Sequence, residues 1–532
     1  MSTHRIPTHM IIPPEIGSRL QSEAKHMSSI EQCFNFITDL GIDATMERDV
    51  ISGYDRDSSN MEGLAEMVGR PRDELETAII LAVFHHSRQP ITIAAGKTNL
   101  NGGATPNRGG VLSVEKLTFP KPLVNSKENT IRTMAGVFLE DMRREVLRQT
   151  GNKYHYPVDP TSRNEAMVGG TISCNASGFV PGPQGATRYW TEEIELITLE
   201  GYKITSKRDE YISQDGKFII QSLEGDNILP IPTYPRPEIK NASGVFSSET
   251  GVMDFVDLIV GSEGIFGIIT SATFRLKPMP TDFLELFITL PGEKQAVDFH
   301  QYLSDYWEGD LSNISALEYF GYNCQDYMDN KDYFFKDKNE VGIYLQIPLY
   351  NESVEDVAEK YFNLIEKSRC GIQMDTILSL NTPENLKKFF VARHSIPANA
   401  LDKTRQLDTW SIITDTIVPP ENFSEFLQVS HDILRHDDIE YLLFGHLGDC
   451  HLHFQIIPSK SQQSKALTLY DQIVEESARL GGVYSAEHGT GKRKCSDFLK
   501  CYGEGAAEQI KKSKMVFDPN FILNHGNIIS LR

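Results

Sequence analysis

The sequence predicts an α+β protein of more than one domain. Three observations carry this. A chain of 532 residues exceeds one ordinary folding unit. Helical and strand-like stretches alternate from about residue 70 to 280. From about 281 to 475 the strands and helices are laid together rather than strictly wound, as in a second α+β unit.

The elements follow in order. Residues 1–50 read as a polar helical preamble. Pro71 suits a helix start, and Leu75, Ile79, Ala82 and His86 recur at helical spacing until Pro90 stops the pattern. Residues 91–94 make a short apolar strand, then comes the loop AGKTNLNGGATP, and residues 110–114 make a second strand. Residues 194–199, 256–260 and 268–270 are further strand candidates. In the second unit, residues 284–290 and 342–347 read as strands. Ser353 caps a helix whose Val357, Tyr361 and Ile365 form one face. A strand at 411–418 precedes a helix opened by Pro419 and Pro420. A short helix near 504–515 and the tail FDPNFILNHGNII close the chain.

Composition narrows the function classes. Hydrophobic residues are 40% and charged residues 23%, enough apolar material for a sizeable core. A net charge of -21 repels phosphate backbones, so nucleic-acid binding is not expected. An anionic substrate must then be drawn in by local cations or a metal. Seven cysteines without CxxC spacing argue against a disulfide framework or an iron–sulfur cluster and fit a reducing cytoplasm. No apolar run is long enough for a transmembrane helix, and the start is not a secretory signal.

Four segments could carry chemistry. In Ala95-Gly96-Lys97-Thr98-Asn99-Leu100, glycine and successive backbone N–H groups can form an anion nest, with Lys97 as a cation; a plain turn is the alternative. The stretch 157–189 is poor in bulky side chains and could lie against a flat, extended ligand; a surface loop is the bland reading, against which its apolar residues argue. Glu263, between small residues in GSEGIFGII, is either a turn residue or a hydrogen-bond acceptor for a ligand. The strongest signal is His446, His451, His453, Glu487 and His488, gathered at glycine and aspartate turns. Two histidines and a carboxylate suit Zn²⁺ or Mn²⁺ and leave positions for water or substrate. His451 shares a strand face with His453 and is an extra ligand or an outer partner. His85 and His86 end a helix, and His431 and His436 are expected to be solvated.

Taken in order, AGKTNLNGGATP, DPTS…VGGTISCNASG…GATR, GSEGIFGII, GHLGDCHLH, AEHGTGKRK and DPNFILNHGNI resemble the FAD-linked oxidases of the vanillyl-alcohol-oxidase type, and within them the D-lactate, D-2-hydroxyglutarate and glycolate dehydrogenase branch. The likeness runs from about residue 50 to the end. It implies a two-subdomain FAD-binding domain at 51–280, a cap domain with an antiparallel sheet at 281–480, and a C-terminal segment, 481–532, returning to the FAD domain, with 1–50 as an N-terminal extension.

The resemblance implies non-covalent FAD. Ala95, Gly96, Lys97, Thr98, Asn99 and Leu100 would sit at the pyrophosphate. Asp159, Pro160, Thr161, Ser162, Gly169, Gly170, Asn175, Gly185, Ala186 and Thr187 would lie along the cofactor, with Glu263, Ile268 and Asn524 also near it. His446, His453 and Glu487 would hold a divalent metal, His488 would be the base, and Arg393 would bind the carboxylate of a small 2-hydroxy acid. The electron acceptor is unassigned, and a homodimer is left open. The rivals are a flavin-free metal-dependent hydrolase and a non-catalytic flavoprotein or electron-transfer subunit. Cys450-His451 stand where the family usually has Gly-Asn, Asn99 replaces a common glycine, the tail reads NHGN where N-P-G-K is usual, and Ile413-Thr414 lack the lysine of a hydroxyglutarate-type site.

Overall fold

The computed structural model describes residues 3–223 and 225–530. Three larger sheets organise it. A four-stranded sheet runs Ala44–Thr45, Met67–Gly69, Gly110–Ser113, Ile91–Ala94, with its last three strands parallel. A six-stranded antiparallel sheet runs His9–Met10, Tyr202–Lys207, Thr191–Ile197, Ile268–Arg275, Thr130–Met134, Leu123–Asn125. A seven-stranded antiparallel sheet runs Leu378–Ser379, Asp282–Leu290, Val341–Leu349, Ala316–Phe320, Glu440–His446, His451–Ile457, Ile412–Ile413.

The helix Glu74–Ser87 shows how the first two sheets are joined. Asp73 caps it by accepting from the Glu76 N–H. Every side chain from Thr77 to Phe84 is buried, so this helix has no solvated face there. It packs among residues of both sheets, including Leu112 and Ile197. In the second unit, the helix Val354–Ser368 is capped by Ser353 and buries Val357, Tyr361 and Ile365, as its spacing predicts.

Several expectations are corrected. The first 50 residues are not only helical: Arg5–Pro7 pairs in parallel with Lys217–Ser222, and His9–Met10 extends the six-stranded sheet. Residues 256–260 belong to no strand. Phe255–Ile259 is a short helix capped by the Asp254 side chain; its apolar residues are interrupted only by Asp257, and so short a run carries no period to tell the two apart. Only Ile412–Ile413 of 411–418 is a regular strand; Asp415 and Ile417 instead bridge to Ser485 and Val483. The last helix is longer than expected, Cys495–Phe517, and breaks at Gly503, where φ is 77°. His431 is buried, with Nδ1 2.6 Å from the Tyr441 hydroxyl and Nε2 3.0 Å from Glu293.

The chain end stitches the first two sheets together. Leu523 bridges to Ile91. Asn524 Oδ1 accepts from the Ile93 N–H, and its Nδ2 donates to the Glu263 carbonyl.

Candidate active site

A cavity of about 580 Å³ opens between these elements. Its wall includes Ala95, Gly96, Lys97, Thr98, Asn99 and Leu100 after one strand, and Asp159, Pro160, Thr161, Ser162, Gly169 and Gly170 from the small-residue stretch. Glu263, Ile268 and Asn524 line it as well. His446, Glu487 and His488 line it too. The segments singled out from sequence therefore share one cavity.

Whether the wall suits a dinucleotide is a matter of its donors. Among the described residues, no protein acceptor takes the backbone N–H of Gly96, Lys97, Thr98, Asn99 or Leu100. Consecutive unpaired amides at a cavity wall are the feature a pyrophosphate needs. The fit is good, with one change: Lys97 spends its ammonium elsewhere, donating to the Gly53 carbonyl at 2.8 Å and lying 4.1 Å from the Tyr54 ring centre. Asn175, Gly185, Ala186 and Thr187 do not line the cavity. They brace its wall from behind: Asn175 Oδ1 accepts from the Arg188 N–H, and Thr187 Oγ1 donates to the Ala176 carbonyl.

Glu263 is buried at φ 51° and acts as a strut. Its two carboxylate oxygens accept from the Thr490 N–H at 2.6 Å and the Gly491 N–H at 2.7 Å, fixing the turn that follows His488. Burial raises its pKa to about 7, partly offset by those two N–H donors. A carboxyl raised in the folded state stabilises the fold below its ordinary range near 4.5, and that contribution is lost as pH climbs through about 7. The stability advantage of the wild type over Glu263→Gln should therefore shrink by up to ~3 kcal/mol between pH 4.5 and 7.5. Parallel thermal melts across that range check this, and a pH-independent difference would contradict it.

The metal-ligand candidates come from a hairpin and a loop. His446 ends one strand and His451 starts the next, with Gly445 at φ 141° and Cys450 at φ 54° shaping the turn between. His446 Nδ1 lies 2.6 Å from Glu318 Oε1, and its Nε2 lies 3.4 Å from Glu487 Oε1. His453 Nδ1 donates to the Thr414 carbonyl, which leaves Nε2 facing Glu487 Oε1 at 3.5 Å. Against the pull of burial, Glu318 and Glu487 raise His446 to about 10. Burial opposes the charge on Glu487, yet His446 and Lys240 hold its pKa well below the ordinary value. Two imidazoles whose outer nitrogens are already engaged, facing one ionised carboxylate, are a donor set that fits Zn²⁺ or Mn²⁺.

His488 stands beside them. Its ring stacks on His453 at 5.5 Å, with Nδ1 3.5 Å from Asp415 Oδ2 and Nε2 3.6 Å from Glu487 Oε1. Burial lowers its pKa against the raising effect of Asp415 and Glu487, which favours the neutral ring that can accept a proton. Asn101 Nδ2 holds the backbone by donating to the carbonyls of His488 and Gly489. Arg393 does not line the cavity. Its Nη2 donates to Glu318 Oε2 at 2.9 Å, and its guanidinium lies 4.4 Å from the ring centre of Phe179, which does line the cavity.

Three supporting residues had no signal in the spacing. Lys240 is buried, 3.2 Å from Asp449 and 3.3 Å from Glu487. Glu318 joins Arg393 to His446. Asp415 is fully buried and accepts from Ser485 Oγ, Lys494 Nζ and the N–H groups of Glu487 and His488.

Residues 65–206 match the model of an FAD binding domain, and residues 314–528 match the C-terminal domain of FAD linked oxidases. The chain is similar to a D-lactate dehydrogenase of Anaerostipes hadrus, 24% identical over 85% of this chain and 87% of that protein. It is similar to a D-2-hydroxyglutarate dehydrogenase of Xanthomonas citri pv. viticola, 26% identical over 82% and 83% of the two chains. Among solved structures, p-cresol methylhydroxylase with substrate bound shares the fold at a TM-score of 0.66 and 12% identity, covering 98% of both chains. With residues 65–206 matched as an FAD binding domain and 314–528 as the C-terminal domain of FAD linked oxidases, in a fold of the vanillyl-alcohol-oxidase type, the chain belongs to the FAD-linked oxidases, in the branch that holds the D-lactate and D-2-hydroxyglutarate dehydrogenases.

Proposed function

We propose that this FAD-dependent oxidoreductase oxidises a small, D-lactate-like 2-hydroxy acid, using a divalent metal held by His446, His453 and Glu487 and His488 as the base. One observation carries the reading: His446, Glu487 and His488 line the same cavity as residues 96–100, with their unpaired amides, and the 159–170 stretch. The relatives' names as dehydrogenases of D-lactate and D-2-hydroxyglutarate support the substrate class.

FAD, when bound, supplies the hydride acceptor, and the metal supplies a Lewis acid for the substrate hydroxyl. The chain's own groups do the rest. His488 Nε2 takes the hydroxyl proton, and Asp415, facing Nδ1, stabilises the resulting imidazolium. Arg393 is the cation assigned to the substrate carboxylate; it lies off the cavity wall against Phe179, so Phe179 has to move for the two to meet, and beyond the bond to Glu318 no acceptor among the described residues takes its remaining N–H groups. Phe179 and the buried neighbours exclude water and strengthen these charges. A reducing, cytoplasmic setting is part of the proposal, supported by seven free thiols among the described residues. Among these residues no helix is long and apolar enough to cross a membrane. The matched FAD-binding domain argues against the flavin-free hydrolase.

Exhaustive chelation tests the metal. It should leave FAD bound, cut reduction of the flavin by substrate roughly 10³-fold, and be reversed by Zn²⁺ or Mn²⁺. Undiminished activity in a metal-free preparation would overturn the metal reading.

A further inference from the structure

His451 is fully buried, and neither of its ring nitrogens makes an aligned hydrogen bond. Its nearest polar neighbour is Asp415, with Nε2 3.2 Å from Oδ1. Asp415 does not need it: its oxygens already accept from Ser485, Lys494 and two backbone N–H groups. An imidazole sealed from water whose one polar neighbour is poorly aligned and already shared is costly and calls for an explanation.

The hairpin register supplies one. His446 and His451 are paired directly across the two strands, and His453 is two positions farther along the same strand. Cross-strand partners share a sheet face, and so do residues two apart. Three imidazoles therefore converge on one face of the hairpin end, with ring centres 5.5 Å apart for His446 and His451 and 4.5 Å apart for His451 and His453. One donor atom from each of His446, His451, His453 and Glu487 can be chosen so that all four lie within 4.8 Å of one another.

We propose that His451 is a fourth protein ligand, so that the metal is held by three imidazoles and one carboxylate. This rests on the metal reading above and deepens it. It makes the site more closed than a set of three protein ligands, with fewer positions left for substrate and water. His451 is absent from the cavity wall, so it would bind from behind, while His446 and Glu487 reach the metal from the cavity side.

The test is zinc X-ray absorption on the FAD-loaded full chain, compared with His451→Asn. The wild type should show three imidazoles in the zinc shell and His451→Asn should show two, with zinc affinity weakened roughly tenfold or more and FAD content unchanged. Two imidazoles in the wild type, or the same count in both proteins, would overturn the fourth ligand while leaving the metal reading standing. A wild type that takes up neither zinc nor manganese would overturn the metal reading itself. The wild-type count decides the matter even if His451→Asn does not fold.

Discussion

Replacing His488 by alanine should leave a folded, yellow protein whose flavin is reduced by substrate roughly 10²–10⁴-fold more slowly. The size follows from the job. A metal lowers the hydroxyl's proton affinity, but the proton still needs an acceptor at the moment hydride leaves. His488 is suited because burial favours its neutral ring and Asp415 waits to stabilise the charged form. Its backbone is fixed independently of the ring, through Asn101 and Asp415, so removal of the imidazole should not collapse the turn. Rapid mixing without oxygen reads the reduction rate directly. A near wild-type rate would remove His488 from the mechanism.

Glu487→Gln should have an effect of similar size by another route. The carboxylate is the common partner of His446, His453, Lys240 and Ser177. Glutamine preserves the shape but removes the charge, so metal affinity should fall roughly 100-fold or more, at or above the top of the range expected for an outer partner. Lys240 keeps Asp449, so its own burial remains compensated and the fold should persist. Metal content by elemental analysis and FAD content by absorbance separate the outcomes. A variant with full metal and full activity would show that Glu487 is not a ligand.

Much of this site was legible in the sequence because local features announced it. His446 and His453 flank a glycine turn between two strands, and the hairpin forms as that pattern predicts. The unpaired amides after Ile91–Ala94 were legible as glycine-rich backbone, although the charge beside them was misleading: Lys97 looked like a phosphate ligand and instead serves Gly53. What remained hidden depends on long-range packing. Lys240 meets Asp449 across 209 positions, and Arg393 meets Glu318 across 75. No periodicity encodes such a pair. His431 read as solvated on a polar helix, yet Glu293 and Tyr441, supplied by other elements, let it be buried. The strand expected at 256–260 failed for a different reason: a five-residue, mostly apolar run is too short to show its period, and the Asp254 side chain caps a helix there.

Glu263 shows why motif readings and contacts can diverge. Its place in GSEGIFGII marks it as a cofactor-side residue, and it does line the cavity. Its carboxylate, however, is spent on the Thr490 and Gly491 amides, so its chemistry is to tie the FAD-binding half to the loop carrying Glu487 and His488.

The most direct test of the central claim is anaerobic bleaching of the bound flavin by a panel of D- and L-2-hydroxy acids. The absorbance of oxidised flavin should fall on addition of at least one small D-2-hydroxy acid and persist with its L-enantiomer. A flavin that no member of the panel bleaches would contradict the account.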